Sequence, residues 1–305
     1  MLKNFEDVRK AARQKAGFVM VVAAAEDEAS IKAAVESHRR NLARAILVGR
    51  ASQIRELVRS EGGDPTDFEI LDSPDEQEAA ATAARMASEG KAHVILKGHL
   101  PSSTLLRAVL DRKAGLRTGR ILSDVRLFDH PYKPEGFLAV TDGGVIPEPT
   151  FEQKRAIVEN AVWVYHRLGF KNPLVAMLCA SEKVNPGLRH TVEAAKMAEL
   201  NRSGEISGCV VDGPLSLDLA IIEESVRTKG FESPVAGRAD ILVGPTIDAV
   251  NFLGKGLVYF KGAVPGQVIV GTKVPVLIPS RSDKAEVKFN SIALAAVVAL
   301  DEETS

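Results

Sequence analysis

Residues 18–49 read FVMVVAAAEDEASIKAAVESHRRNLARAILVG, and their two rhythms decide the fold. FVMVVAAA (18–25) and RAILVG (44–49) are continuous apolar runs, whereas 27–40 between them has the charged and apolar mixture of an amphipathic helix. Further runs of the first kind lie at 68–73, 93–98, 173–180, 208–213, 239–244 and 267–271. Helical patterns at 53–61, 75–90, 151–169 and 187–202 are interleaved with them. Strands that show no polar alternation are covered on both faces, and helices between them supply the cover. This predicts an α/β protein with mainly parallel sheets flanked by helices. One interruption stands out: 121–128, then HPYKPEG, then 137–141, a hairpin-like pair suited to a domain junction.

At roughly 150 residues per domain, a chain of 305 residues predicts two domains, each able to bury a core. The last element starts near Ser280. Asp283 and Glu286 form a capping-box-like pair there. Phe289, Ile292, Ala293, Ala296, Val297 and Leu300 then fall on one helical face, followed by an acidic, solvated DEETS tail.

Charge and composition remove several function classes. With 39 Lys plus Arg against 40 Asp plus Glu, the net charge of −1 offers no general attraction to nucleic-acid phosphates. Aromatic residues, 5% of the chain, are too few for base-stacking platforms. The N-terminus lacks the apolar core of a signal peptide, and no apolar run reaches the ~18 residues of a membrane span. Cys179 and Cys209 lie in apolar runs and read as reduced core residues. A soluble, cytoplasmic protein is expected, with no nucleic-acid or membrane partner.

Two stretches carry candidate chemistry. In KGHLPSSTLLR (97–107) a strand ends at Gly98, and Ser102, Ser103 and Thr104 open a helix with Arg107 one turn in. Helix-start amides favour an anion, hydroxyls add donors and an arginine adds a charged fork. The same residues equally fit a serine cap beside a solvated arginine. Basic residues continue through Arg117 and Arg120, so that residues 97–126 carry +5 and the remainder of the chain −6. Such a stripe is either a solvated face or a seat for a polyphosphate ligand. The second stretch, IPSRSDKAE (278–286), crowds Ser280, Arg281, Asp283 and Glu286 at the start of the last helix. Arg281 suits an oxyanion, and Asp283 or Glu286 a general base, although carboxylates at a helix start are also ordinary caps. Glycine-rich dinucleotide and phosphate loops, a nucleophile elbow and histidine spacings for a metal are all missing from the sequence, so no metal is expected.

Beyond these local readings, a series of segments is recognisable in order: KGHLPSSTLLRAVL with GLRTGRILSDV, TDGGVIPEPT, SEKVNPGLRHTVEAAKMAE, VDGPLSLDLAI, AGRADILVGPTIDAVNFLGK, VYFKGAVPGQVIVGTKVPV and SRSDKAEVKFNSIALA. Together they resemble the phosphate acetyltransferase and phosphate butyryltransferase family over nearly the whole chain, and GLRTGR, VDGPL and the SRxDxAExK form look closer to the butyryl branch. The resemblance implies reversible transfer of a short acyl group, butyryl or acetyl, between coenzyme A and inorganic phosphate. It implies no tightly bound cofactor, a homodimer, and two α/β domains with the active site in their cleft. The expected division is 1–125 plus 283–305 for a discontinuous first domain and 126–282 for the second.

By resemblance, Ser280 and Arg281 match the family's reacting Ser-Arg pair. Arg107, Ser102 and Ser103 match its substrate loop, Asn251 the Asn before the helix under the cleft, and Asp212 with Gly213 its Asp-Gly turn. Thr104, Arg117 and Arg120 complete the expected phosphate and coenzyme A set. The acetyl branch carries an aspartate seven residues after the serine; Val287 stands there in this chain. Glu286 or Asp283 would have to replace it, yet a one-residue shift turns a helix position by about 100°. Two alternatives accompany this expectation: a non-catalytic acyl-CoA or phosphate sensor, and a metal- and NAD(P)-dependent decarboxylating dehydrogenase on a related scaffold, whose ligands would come from Asp212, Asp218 and Asp240.

Overall fold

The computed structural model describes residues 1–15, 17–280 and 283–299. Two compact units are present. The first comprises Phe5–Arg120 and the described residues of Gly266–Ser305; the second comprises Met1–Asn4 and Ile121–Pro265.

The first unit contains α1 (Phe5–Arg13), β1 (Val19–Ala23), α2 (Glu28–Arg39), β2 (Arg44–Gly49), α3 (Ala51–Ser60), β3 (Glu69–Asp72), α4 (Glu76–Ser88), β4 (Val94–Lys97) and α5 (Ser102–Val109). The later chain adds β10 (Gly266–Val270), β11 (Val276–Leu277) and α11 (Ala285–Val298). Its strands run in the order β3-β2-β1-β4-β11-β10. All neighbours are parallel except β10 and β11. The chain leaves β1 toward β2 on one side, whereas β4 lies on the other. Between β1 and β4 is therefore the topological switch point, where open α/β sheets bind ligands outside the carboxyl ends of their strands. Helix α4 buries Ala79, Ala80, Ala83, Ala84 and Ala87, small side chains that let it lie close to β1.

The second unit contains β5 (Ser123–Asp129), β6 (Phe137–Thr141), α6 (Phe151–Arg167), β7 (Leu174–Leu178), α7 (Arg189–Arg202), β8 (Val210–Leu215), α8 (Leu217–Ile221), α9 (Glu223–Lys229), β9 (Ile241–Val243) and α10 (Ile247–Lys261). Its strand order is β5-β6-β9-β7-β8, with only the β5–β6 hairpin antiparallel. Thr150 and Gln153 form a full capping box at α6. Buried Tyr165 ties this helix to the sheet by donating toward the carbonyls of Phe137 (2.9 Å) and Asp240 (2.7 Å).

The unit boundaries differ from the expected 125/126 and 282/283, and strand pairing explains both. Ser123–Asp129 belongs to a hairpin with Phe137–Thr141. Val276 and Leu277 pair in parallel with Ile95 and Leu96, so the return to the first unit comes at Gly266. Two expectations for the last helix are also corrected. Asp283 and Glu286 do not cap it; the N-cap is Lys284, without a side-chain bond. Nor is α11 one-faced: every residue from Val287 to Val298 is buried, because α1, α2, β10 and β11 surround it. Leu300 and the DEETS tail lie outside the described residues. Among the described residues no helix is long and apolar enough to cross a membrane.

Candidate active site

The β1–β4 switch point holds a pocket of about 290 Å³. Its walls come from the start of α2 (Asp27–Ser30), the end of β4 (Leu96–His99), Pro279 with Ser280, and Lys288 of α11. Its floor is tightly built. Gly98 and His99 donate their amides to the carbonyls of Ala23 (2.9 Å) and Ala24 (2.6 Å). A Cβ at Gly98 would lie 2.1 Å from the Ala24 carbonyl oxygen, so this close approach requires glycine. Ala24 itself takes a left-handed conformation, φ 55°, which is unfavourable for a residue with a Cβ and is held by the surrounding pairing.

Each charged group at this pocket has identifiable surroundings. Asp27 caps α2, accepting the Ser30 amide at 2.9 Å and the Ser30 hydroxyl at 2.7 Å. Lys97 donates to the carbonyls of Gly98 and Leu100, both at 3.2 Å. Asp283 accepts the Ser280 amide at 2.7 Å. Lys288 is 6% exposed, and no hydrogen bond or ion pair reaches its ammonium among the described residues. Burial lowers its pKa, while the charges of Asp27 and Asp283 act in the opposite direction. The sequence reading missed Lys288. Its signal was a lysine between Val287 and Phe289 in a helix that is otherwise almost wholly uncharged.

Ser280 is thus at the switch point with Asp283 bonded to it, whereas Glu286 is not. Glu286 lines a different cavity, with Arg9, Arg13 and Lys32, and its carboxylate is 4.0 Å from Arg9. Arg281 lies outside the described residues. Ser102 and Ser103 are exposed and Thr104 half-buried at the start of α5, where Pro101 is the N-cap and no side chain caps the helix. Arg107, one turn in, is exposed, as are Arg117 and Arg120. The 116–120 loop is anchored to the β10–β11 connection: Thr118 Oγ1 donates to the Gly271 carbonyl at 2.7 Å, and the Lys273 amide donates to the Leu116 carbonyl at 2.9 Å.

Asn251 and Asp212 belong to the second unit. Asn251 Nδ2 donates to the Gly143 carbonyl at 2.9 Å. The loop it holds is centred on buried Asp142, whose carboxylate accepts amides from Asp124, Gly144, Val145 and Ile146. Burial raises the Asp142 pKa, and the four amides oppose that rise. Two of the three ligands proposed for the dehydrogenase alternative are engaged elsewhere. Asp240 is taken by Lys133 and by the Leu174 amide at 2.8 Å. Asp218 is taken by Ser216 and Lys229, which hold its carboxyl down at about 2. Among the described residues no three His, Cys, Asp or Glu gather as a metal site. Cys179 and Cys209 are not paired, and burial pushes both thiols up to about 11, which suits core residues rather than nucleophiles.

The family model described as "Phosphate acetyl/butaryl transferase" matches residues 76–296. The chain is 41% identical to a phosphate butyryltransferase of Clostridium beijerinckii, over 98% of this chain and 99% of that protein. It is 39% identical to a phosphate acetyltransferase of Thermotoga maritima, over 93% and 96% of the two chains. A branched-chain phosphotransacylase from Enterococcus faecalis V583 superposes with a TM-score of 0.81 at 31% identity, covering 92% of this chain and 99% of that one. The segments that form the switch-point pocket after β4 and before α11 fall within the matched residues. The chain belongs to the phosphate acetyl/butyryl transferase family.

Proposed function

We propose that this chain catalyses reversible transfer of a short acyl group, butyryl or acetyl, between coenzyme A and inorganic phosphate, with the chemistry at the mouth of the β1–β4 pocket. The full-length identity to named phosphate acyltransferases carries this reading. A phosphate oxygen attacks the thioester carbonyl, the C–O bond forms and the C–S bond breaks. Sulfur leaves as thiolate and takes up a proton as free coenzyme A. Much of the rate gain is holding two substrates in register and stabilising the oxyanion, which requires donors and cations more than a nucleophile. Ser280 and Arg281 serve that role, while Ser102–Thr104, Arg107, Arg117 and Arg120 provide donors and charge for the phosphates of coenzyme A. Asn251, expected in the substrate set by resemblance, holds the Gly143 loop within the second unit.

Asp283 acts as a positioning residue, its Oδ2 accepting the Ser280 amide. A free thiol with a pKa of about 8.5 is a few per cent thiolate at neutral pH, so a cationic site supplies activation without a dedicated base. The enzyme works as a homodimer in the cytoplasm. Support for the dimer is the face of α10 carrying Phe252, Tyr259 and Phe260, which are 71%, 64% and 92% exposed and share one side at i, i+7 and i+8. Thiol release from acetyl-, propionyl- and butyryl-CoA with and without phosphate tests the reading. Phosphate-dependent release from at least one is expected; coenzyme A binding with no release from any would favour the sensor.

A further inference from the structure

Lys288 is a charged side chain on a helix that is buried along almost its whole length. An ammonium has three N–H donors and no acceptor of its own, so burial is costly unless acceptors are supplied. None is supplied by hydrogen bond or ion pair among the described residues, although the side chain lines the switch-point pocket. The carboxylates acting on it through space, Asp27 and Asp283, are bonded to Ser30 and to Ser280 respectively. Their charges favour the ammonium form against the opposing effect of burial, and neither carboxylate is hydrogen-bonded to it. Of the other ionisable groups here, Lys97 is turned to the Gly98 and Leu100 carbonyls, and Glu28 and His99 are exposed.

Two more observations limit what completes this site. The pocket is also walled by the first residues of α2, a 12-residue helix whose amino end favours negative charge. Its volume of about 290 Å³ is at the bottom of the roughly 300–1,000 Å³ range of pockets for drug-sized ligands. This volume accommodates a small anion such as phosphate.

We propose that the Lys288 ammonium binds the phosphoryl oxygens of the reaction: inorganic phosphate in one direction and the phosphoryl group of the acyl phosphate in the other. This rests on the phosphate acyltransferase reading above. In this arrangement Lys288 neutralises and orients the attacking phosphate next to Ser280.

The test uses the full chain with Lys288→Met, which keeps length and removes charge, and Lys288→Arg, which keeps charge. Inorganic phosphate and butyryl-CoA are varied separately. Loss of one or two charge-assisted hydrogen bonds raises KM for phosphate about 10- to 100-fold in the Met variant. KM for butyryl-CoA is expected to stay within about twofold, and the Arg variant to recover most of the phosphate affinity. As a second readout, phosphate raises Tm of the wild type and not of Lys288→Met. If the Met variant does not fold, Lys288→Gln replaces it in both measurements. An unchanged phosphate KM, or a rise confined to butyryl-CoA, overturns the proposal. If the wild type shows no turnover, the acyltransferase reading fails by itself, and the phosphate shift in Tm still decides whether Lys288 holds the anion.

Discussion

Asp283 and Ser280 hold each other through two hydrogen bonds: Asp283 Oδ2 accepts the Ser280 amide at 2.7 Å, and the Asp283 amide donates to the Ser280 carbonyl at 3.1 Å. A carboxylate placed this way fixes the backbone of the serine, the positioning role proposed for it above. Asp283→Asn retains an acceptor oxygen, so kcat should stay within about tenfold of wild type, equivalent to ~1.4 kcal/mol. The pH profile should keep its shape. Asp283→Ala should lose more, because no acceptor is left for the amide. Equal losses of several orders of magnitude in both variants would instead show that the carboxylate transfers a proton.

Gly98 sets how closely the end of β4 lies against the end of β1. A Cβ there meets backbone oxygen at 2.1 Å, and backbone cannot rotate away as a side chain would. Gly98→Ala is expected to destabilise the protein by about 1–3 kcal/mol through overpacking. It should also weaken phosphate saturation, because the pocket floor shifts with the strand. Thermal unfolding and a phosphate titration check this; a variant with wild-type Tm and KM contradicts it.

His130 makes the second unit sensitive to acid. The imidazole is buried; its Nε2 faces the Ala239 carbonyl at 3.0 Å, and its Nδ1 accepts the Tyr132 and Lys133 amides at 3.2 and 3.0 Å. The neutral Nε2–H tautomer satisfies all three bonds. Protonation of Nδ1 would break two. Burial lowers the pKa; the Ala239 bond and Asp240 oppose this and Lys133 reinforces it. Because the folded pKa is below the unfolded value near 6.5, the unfolded chain binds the proton more readily. This contribution to stability is therefore present above pH 6.5 and lost as pH falls from there through the folded pKa. Tm should drop between pH 7.5 and 5.5, and His130→Gln should start lower and drop less. An identical drop in the variant would show that the proton goes elsewhere.

The aromatic face of α10 predicts an association that a charge would prevent. Phe260 is 92% exposed, so Phe260→Asp costs little within one chain. Light scattering should give a dimer for the wild type and a monomer for the variant, with far-UV circular dichroism unchanged. A wild-type monomer, or a dimer that survives the substitution, rules this face out.

Much of the architecture was legible because the strands of both units pair mainly in parallel. Strands such as 18–25 and 93–98 are continuous apolar runs, and the 121–128/137–141 exception is the antiparallel hairpin. Val276–Leu277 was not legible, since two residues carry no periodicity and their pairing to β4 is wholly tertiary. The same reason hid the all-round burial of α11: its apparent single face came from counting apolar residues, while its neighbours come from α1, α2 and the sheet. In the site, Ser280 could be read from its segment. Lys288 could not, because a lysine on a helix is ordinarily solvated, and only the pocket shows where it leads. Glu286 was misleading for the converse reason: near Ser280 in sequence, it projects to the Arg9 side of α11.

The most direct test of acyl transfer follows both products at once. Purified protein is mixed with butyryl-CoA and phosphate; free thiol is measured colorimetrically and butyryl phosphate by phosphorus NMR, with Arg281→Ala run in parallel. One acyl phosphate formed per thiol released, with turnover lowered by orders of magnitude in the variant, is the predicted result. Thiol release without acyl phosphate, or equal turnover in Arg281→Ala, would contradict it.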